Sequence, residues 1–259
     1  MKHNNTELQL FKSANNIFLE FDRWKALVNS SELEKETIDS FFVSRKLATK
    51  IVDTIDATQI LFNERKFYAS YIVLRTAIES LIWFIFITND ENNKQYYLHK
   101  YFDENIKSIK TRLDFPNTPF MDATQKNEKQ ELIKYWKGKK ENLKNDHPES
   151  NTLGIKSVVK MIGGPAEYIY CYHYNIASSY AHPDFYTTIE SYIPKDNNET
   201  SFLVNSEYTD IRNVIVLAEG IKCTMTTTMS HIDKLIDVNS EQYIDNIEKY
   251  FKDIRILAP

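Results

Sequence analysis

Residues 67–89 form a run with only two charged side chains, and the helix that this run predicts is apolar on every face. A helix of this kind is buried in a protein core or in a membrane. The two charges, Arg75 and Glu79, are four residues apart and therefore lie on one helical face, where they can pair. Because an unpaired charge is costly to bury, we expect further polar partners around them. The run predicts a central helix that carries one polar site.

We interpret this run as a core helix and not as a membrane span. It is long enough to cross a bilayer, but Arg75 and Glu79 would each cost roughly 2.5–3.5 kcal/mol at the bilayer centre. The first residues, MKHNNTELQLFKSANN, lack the apolar core of a signal peptide. We therefore expect a cytoplasmic protein without a membrane partner.

The composition favours an all-α fold. Five glycines and seven prolines in 259 residues are too few for a sandwich with many turns. Apolar stripes predict helices at 6–28, 94–113, 155–162, 165–181 and 211–237. A further helix is predicted from a capping box at 31–34 to residue 62, and Ser240 is predicted to cap a last helix. Residues 121–146 fit a surface helix or a mobile excursion, and 183–207 an irregular loop or small hairpin. We expect one domain, 1–259, built as a multi-helix bundle around helix 67–89.

Charge and cysteine content exclude several classes of protein. The net charge of −4 gives no global basic field for nucleic acid, although the stretch 134–144 is a local basic patch around Trp136. Cys171 and Cys223 are far apart and show no zinc-ligand spacing. Phosphate-loop, dinucleotide, metalloprotease and di-iron motifs are missing from the sequence. We therefore expect no metal and no cofactor. Amphipathic helices at both ends leave stripes that a homodimer could bury.

A second polar cluster ends the helix predicted at 165–181. Steps of three and four residues place on one face Tyr168, Tyr172, Asn175 and Ser179, and His182 follows three residues later. If this face meets Arg75, the guanidinium can hold a phosphate while His182 relays a proton. Glu79 would then orient Arg75. The same residues also fit a satisfied structural network that fixes the helix register.

Several motifs together resemble the bacterial domain-of-unknown-function family 5677 over roughly residues 40–190. They are LRTAIES on the central helix, Trp136 with Gly138, IKSVVKMIGG and YNIASSYAHPD. The resemblance implies a helical bacterial cytoplasmic domain with marked polar positions at Arg75, Glu79, Ser179 and His182. The N-terminal helix 6–28 and the C-terminal helices 208–257 lie outside it and are expected to pack on this core.

The chain is more distantly similar to HEPN helical domains, many of which are metal-independent ribonucleases of toxin and phage-defence systems. Those domains place Arg and His four to six residues apart on one helix, whereas Arg75 and His182 come from separate helices here. The first expectation is therefore a defence or toxin-like protein that cleaves RNA without metal. Its catalytic residues would be Arg75, Glu79, Ser179 and His182, with Tyr168, Tyr172 and Asn175 in binding. The alternative is a non-enzymatic helical module that binds a small ligand or a partner protein.

Overall fold

The computed structural model describes residues 2–30, 38–114, 122–181 and 211–257, and all regular structure in these ranges is helical. In chain order the helices are α1 (Lys2–Ser30), α2 (Ile38–Asn63), α3 (Phe67–Asn89), a 3₁₀ turn (Glu91–Asn93), α4 (Lys94–Asp114), α5 (Ala123–Asp146), α6 (Ile155–Ile162), α7 (Pro165–Tyr168), a π-helical segment (Ile169–Tyr174), α8 (Asn175–Ala181), α9 (Ile211–Ile236) and α10 (Glu241–Ile256). The all-α fold class is confirmed. The predicted capping box at 31–34, the predicted loop or hairpin at 183–207 and His182 lie outside the described residues.

Helix bounds follow the apolar periodicity closely. The helices at 67–89 and 155–162 agree with the predicted bounds residue for residue. Within the stretch predicted at 121–146, Ala123–Asp146 form a helix whose side chains are mostly exposed, so it is a surface helix. Asp122 and Gln125 form a capping box at its start. Gly163 and Gly164 both take positive φ between α6 and α7, a conformation that glycine adopts without steric cost.

The chain divides into two compact units. Unit 1 comprises Met1–Ile85 with Val159–Pro259, and unit 2 comprises Phe86–Val158. The two-unit division concerns internal packing, and a single domain over 1–259 stays a prediction.

Unit 1 is built around the aromatic side chains of α1, α2 and α3. The Phe62 ring lies 5.5 Å from Phe67 and 5.8 Å from Phe18, and all three are buried. A small apolar crevice nearby, lined by Ala14, Ile17, Phe18, Phe62, Ala218 and Ile221, is a packing gap without polar groups. Burial of such rings is the main stabilising term in a core of this kind.

The α1 and α10 helices meet through a buried polar connection at Ser240. Its hydroxyl accepts a 2.6 Å hydrogen bond from Trp24 Nε1 and donates to Asp233 Oδ1. The backbone N–H of Ser240 also donates to Asp233 Oδ2. The prediction that Ser240 caps α10 is wrong in this respect: Ser240 precedes the helix, but its hydroxyl makes no capping bond because Trp24 and Asp233 engage it.

The central helix α3 is buried on all sides only in its second half. Residues 81–87 are all buried, as the apolar run predicts. In the first half a stripe opens toward solvent, where Ile72 is 45% exposed and Arg75 and Glu79 are half-buried. By length and composition this helix could cross a bilayer, and 67% of its most apolar window is buried inside the chain, as in a core helix. The expectation that α3 is enclosed throughout is therefore wrong for its first half.

Unit 2 is an α4–α5 pair with a polar seam. Asp103 of α4 accepts a 2.5 Å bond from Lys140 of α5 and a further bond from Thr152. Burial raises the pKa of Asp103, but the bonds from Lys140 and Thr152 outweigh burial, so the pKa lies below its usual value. One turn earlier on α4, His99 is 1% exposed, and both of its ring nitrogens lack a hydrogen-bond partner among the described residues.

Candidate functional site

Arg75 lies on the side of α3 that the rest of unit 1 leaves partly open to solvent. Tyr68, Ile72, Arg75 and Glu79 follow one another at steps of three and four, so they lie along one side of the helix. The Arg75 and Glu79 side chains are half-buried on this side. The charges therefore sit at a border between core and solvent, where a ligand can reach a guanidinium without the full cost of burying it.

Tyr174 is the residue that meets Arg75. The Arg75 Nη2 donates a 3.0 Å hydrogen bond to the Tyr174 hydroxyl, and the guanidinium carbon lies 5.2 Å from the centre of the Tyr174 ring. The Nε of Arg75 is buried and has no hydrogen-bond partner among the described residues. A cation held by one hydroxyl and one aromatic face keeps further N–H donors for another acceptor.

The environment of Tyr174 keeps its hydroxyl protonated. Burial raises the pKa of Tyr174, the Glu79 carboxylate raises it further, and Arg75 lowers it by a smaller amount. At neutral pH the hydroxyl thus accepts from Arg75 while its own proton is available to another acceptor. Arg75, Tyr174 and Glu79 form what we call the Arg75 cluster.

A tyrosine cluster continues from the Arg75 cluster along the α3–α8 contact. The Tyr180 ring stacks on Tyr71 at 4.4 Å and tilts against Tyr68 at 5.2 Å. The Tyr71 hydroxyl donates a 2.6 Å hydrogen bond to the carbonyl of Asn213. Burial raises the pKa of Tyr71, and the neighbouring Tyr180 and Tyr68 raise it by a smaller amount. Since Tyr180 meets Tyr71 and Tyr174 meets Arg75, the two helices run antiparallel here.

The π-helical segment places two neighbouring side chains in two different contacts. Tyr174 points to α3, and His173 lies against Gly220 of α9, where a Cβ would come within 3.2 Å of His173 Nδ1. His173 Nε2 is buried without a partner among the described residues. Burial lowers the pKa of His173. Glu219 opposes this shift, and Lys222 adds to it. A wider helical turn is often found at functional positions.

The other predicted site residues are only partly brought together. Tyr168 and Tyr172 pack on each other at 4.9 Å and are 44% and 59% exposed. Asn175 is exposed and donates to the Cys171 carbonyl of its own helix. The Ser179 hydroxyl is half-buried and donates to the Ile176 carbonyl, also within its own helix.

The predicted catalytic set therefore divides into described and undescribed members. Arg75 and Glu79 are one turn apart on α3, the Tyr174 hydroxyl contacts Arg75, and the Glu79 carboxylate is near enough to raise the pKa of Tyr174. A catalytic role for Arg75 and Glu79 stays a prediction. His182 lies outside the described residues. Its approach to Arg75 therefore stays a prediction.

Tyr174 was missed by sequence reasoning, which placed Tyr168 and Tyr172 on the functional face. Tyr168, Tyr170, Tyr172 and Tyr174 alternate in the sequence, so each ring direction depends on the local winding of the helix. The only available signal was that Tyr170 and Tyr174 are four residues apart, and their rings do stack at 5.0 Å.

The cysteines and acidic groups offer no metal site in the part of the chain that the structure describes. No group of three or more His, Cys, Asp or Glu side chains there is arranged to hold an ion. Burial raises the pKa of the Cys223 thiol to about 11, and Cys171 is exposed. A thiol with a raised pKa is a poor nucleophile at neutral pH.

Comparison with known proteins places the chain in a family. A family model described as "Family of unknown function (DUF5677)" matches residues 41–200, which is more than half of the chain and includes α3 and the π-helical segment. No curated protein and no solved structure matches the chain. The chain belongs to the family of unknown function DUF5677.

Proposed function

We propose that the chain binds RNA at the Arg75 cluster, with a backbone phosphate against the Arg75 guanidinium. The observation that carries the proposal is the half-buried guanidinium, which bonds to the Tyr174 hydroxyl and whose Nε–H has no partner among the described residues. Guanidinium groups bind phosphate through paired N–H donors, and a protonated hydroxyl beside them adds a donor. Burial and the Glu79 carboxylate raise the pKa of Tyr174, so its hydroxyl stays protonated at neutral pH.

Tyrosine rings near Arg75 support RNA over a free phosphate. Tyr170 stacks on Tyr174, and Tyr68 and Tyr180 are half-buried at the other end of the same contact. RNA recognition uses aromatic rings that stack on unpaired bases together with cations that hold the backbone. The negative charge of the whole chain argues for a local contact of this kind and against broad electrostatic binding.

The finer proposal is that the bound RNA is cleaved without metal, in a bacterial defence or toxin-like role in the cytoplasm. His182 would take the proton of the ribose 2′-hydroxyl, whose oxygen would bond to the adjacent phosphorus while the P–O5′ bond breaks, leaving a 2′,3′-cyclic phosphate. The leaving 5′-oxygen would take a proton from the protonated His182 or from water, and Arg75 would stabilise the charge on the phosphate. The described residues support the phosphate-holding part of this scheme. The proton-transfer part rests on the sequence position of His182 and on the likeness to HEPN ribonucleases.

A second candidate function is non-enzymatic binding of a partner protein. Ile72 is exposed on α3 within one turn of Arg75, and the exposed Tyr168–Tyr172 pair adds aromatic surface. Exposed aromatic and aliphatic side chains next to an arginine are typical of protein interfaces. The Ser179 hydroxyl, engaged by its own helix, also favours a site that binds without reacting.

The binding experiment uses a fluorescent oligouridine of roughly twelve nucleotides with 2′-O-methyl riboses, which cannot react through a 2′-hydroxyl. Arg75→Met should raise Kd about tenfold or more, because a hydrogen bond to a charged group contributes about 1.5–3 kcal/mol. Arg255→Met, at an exposed arginine of α10, is the matched control and should leave Kd unchanged. Tyr174→Phe keeps the ring and removes the hydroxyl, so it tests the same contact if Arg75→Met does not fold.

The cleavage experiment uses unmodified RNA in EDTA. His182→Ala should abolish cleavage and retain binding, whereas Arg75→Met should weaken both. Binding without cleavage by the unaltered chain would remove the ribonuclease proposal and leave RNA binding. No change in Kd for Arg75→Met and Tyr174→Phe would remove the Arg75 cluster as the RNA site and favour the partner-binding alternative.

A further inference from the structure

Unit 2 presents an aromatic patch on the surface of its α4–α5 pair, formed by Tyr101, Tyr135 and Trp136. Tyr101 and Tyr135 are 42% and 53% exposed, and both rings contact the half-buried Trp136, at 5.7 Å and 5.0 Å. The buried Phe102 ring also packs on Trp136, and their ring centres are 5.6 Å apart. The three rings are thus fixed by packing while two of them keep much of their surface in solvent.

The helices that carry the aromatic patch are basic, in contrast to the whole chain. Helix α5 has seven lysines against four acidic residues, and α4 has five basic residues against three acidic ones. The chain as a whole has a net charge of −4. Lys139 lies 5.6 Å from the Tyr135 ring centre, so one ammonium group is placed next to an exposed ring. Positive charge is therefore concentrated on the same two helices as the exposed rings.

Some of these charges are already engaged and others remain available. Lys140 bonds to Asp103, and Lys134 pairs with Glu131. Lys137, Lys139 and Lys144 are exposed, and no ion pair is seen for them in the described part of unit 2. An available cation beside an exposed ring, as at Lys139 and Tyr135, offers two kinds of contact at once, one for a phosphate and one for the face of a base.

We propose that the aromatic patch is a binding surface for single-stranded RNA, in which bases stack on Tyr101 and Tyr135 and the lysines of α5 contact the backbone. A single strand fits because its bases are free to stack, whereas those of a duplex are not. An acidic peptide would satisfy the lysines but would leave the exposed rings without a planar partner. The inference takes its ligand from the proposed function, but it assigns a second, separate set of residues to that ligand.

The test compares two double variants that differ only in whether the rings remain. Tyr101→Ala with Tyr135→Ala removes both stacking surfaces, and Tyr101→Phe with Tyr135→Phe keeps them. Both positions are exposed, so the fold is expected to persist, and circular dichroism checks it. With the 2′-O-methyl oligouridine, the alanine pair should raise Kd at least about fivefold, since stacking contributes roughly 1–3 kcal/mol per base. The phenylalanine pair should bind like the unaltered chain.

The salt dependence of Kd gives a second readout that does not depend on the rings. Lys139→Gln, at an exposed position, should lower the magnitude of the slope of log K against log salt by about 0.7, the value for one phosphate contact in a single strand. Polyglutamate serves as an acidic competitor without bases. Displacement of RNA by polyglutamate at equal charge concentration would overturn the stacking proposal in favour of a general acidic partner.

The outcomes separate this inference from the function proposed for the Arg75 cluster. If the alanine pair leaves Kd unchanged while Arg75→Met raises it, the aromatic patch is overturned and the Arg75 cluster stands. If the alanine pair raises Kd while Arg75→Met does not, the aromatic patch stands alone. If the unaltered chain does not bind the oligonucleotide at all, both are overturned.

Discussion

Replacing Ser240 by alanine should destabilise the chain by about 3 kcal/mol. The Ser240 hydroxyl is fully buried, accepts from Trp24 Nε1 and donates to the Asp233 carboxylate. Alanine would leave the indole N–H of Trp24 buried without a partner, at about 1–3 kcal/mol, and would remove a hydrogen bond to a charged group, at about 1.5–3 kcal/mol. The two effects share one network and overlap, so the expected total lies below the sum of their upper limits.

Urea unfolding followed by circular dichroism measures this loss. For a chain of this size, about 3 kcal/mol corresponds to a fall in Tm of roughly 6–12 °C. The matched control is Ser230→Ala, because within the described part of the chain the Ser230 hydroxyl bonds only to the Thr226 carbonyl of its own helix. We expect a loss below about 1 kcal/mol for this control. Adding Trp24→Phe to Ser240→Ala removes the indole N–H that the alanine leaves without a partner. The double variant should therefore lose less stability than the sum of the two single variants. If Ser240→Ala costs no more than Ser230→Ala, the buried connection does not stabilise the fold.

Three further predictions concern pH and glycine. Burial lowers the pKa of His99 below its ordinary value of 6.5, and Lys140 lowers it further, whereas Asp103 raises it. Below about pH 6.5 the unfolded chain therefore binds a proton at His99 that the folded chain does not bind. The free energy of unfolding should fall as the pH drops through this range. His99→Phe should flatten this part of the stability–pH curve measured by urea unfolding. Gly138→Ala should raise stability by about 0.5–1 kcal/mol in a thermal melt, since nothing lies within 4 Å of the new Cβ. Gly220→Ala should lower stability relative to Gly138→Ala, because its Cβ would meet a buried leucine side chain at 3.0 Å and His173 at 3.2 Å.

The helical architecture was readable from the sequence because apolar periodicity determines which residues can be buried together. Leu81, Trp83 and Phe84 lie in an uninterrupted apolar run and are all buried. Burial in the first half of the same helix could not be read in this way. Ile72 is as apolar as its neighbours, yet it is exposed, because exposure depends on which helices from other parts of the chain cover that side.

The candidate site was predictable in part for the same reason. Arg75 and Glu79 stood out because charges are rare in an apolar helix, and they do lie together on one face. Tyr174 did not stand out, because its direction depends on the winding of residues 169–174. Ser240 shows the same limit, since a serine before a helix suggests a cap, while the distant Trp24 determines which bond its hydroxyl makes.

The winding between Ile169 and Tyr174 has a consequence for how this chain tolerates length changes. A wide turn of this kind is equivalent to an ordinary helix into which one extra amino acid has been inserted. Deleting a single residue there would let the backbone return to regular winding, and the residues from Asn175 to Ala181 would keep nearly the same facing, whereas a deletion in a regular α-helix would turn them by about 100°. Tyr180 would therefore stay on Tyr71, and the change would be confined to the side chains of the segment itself.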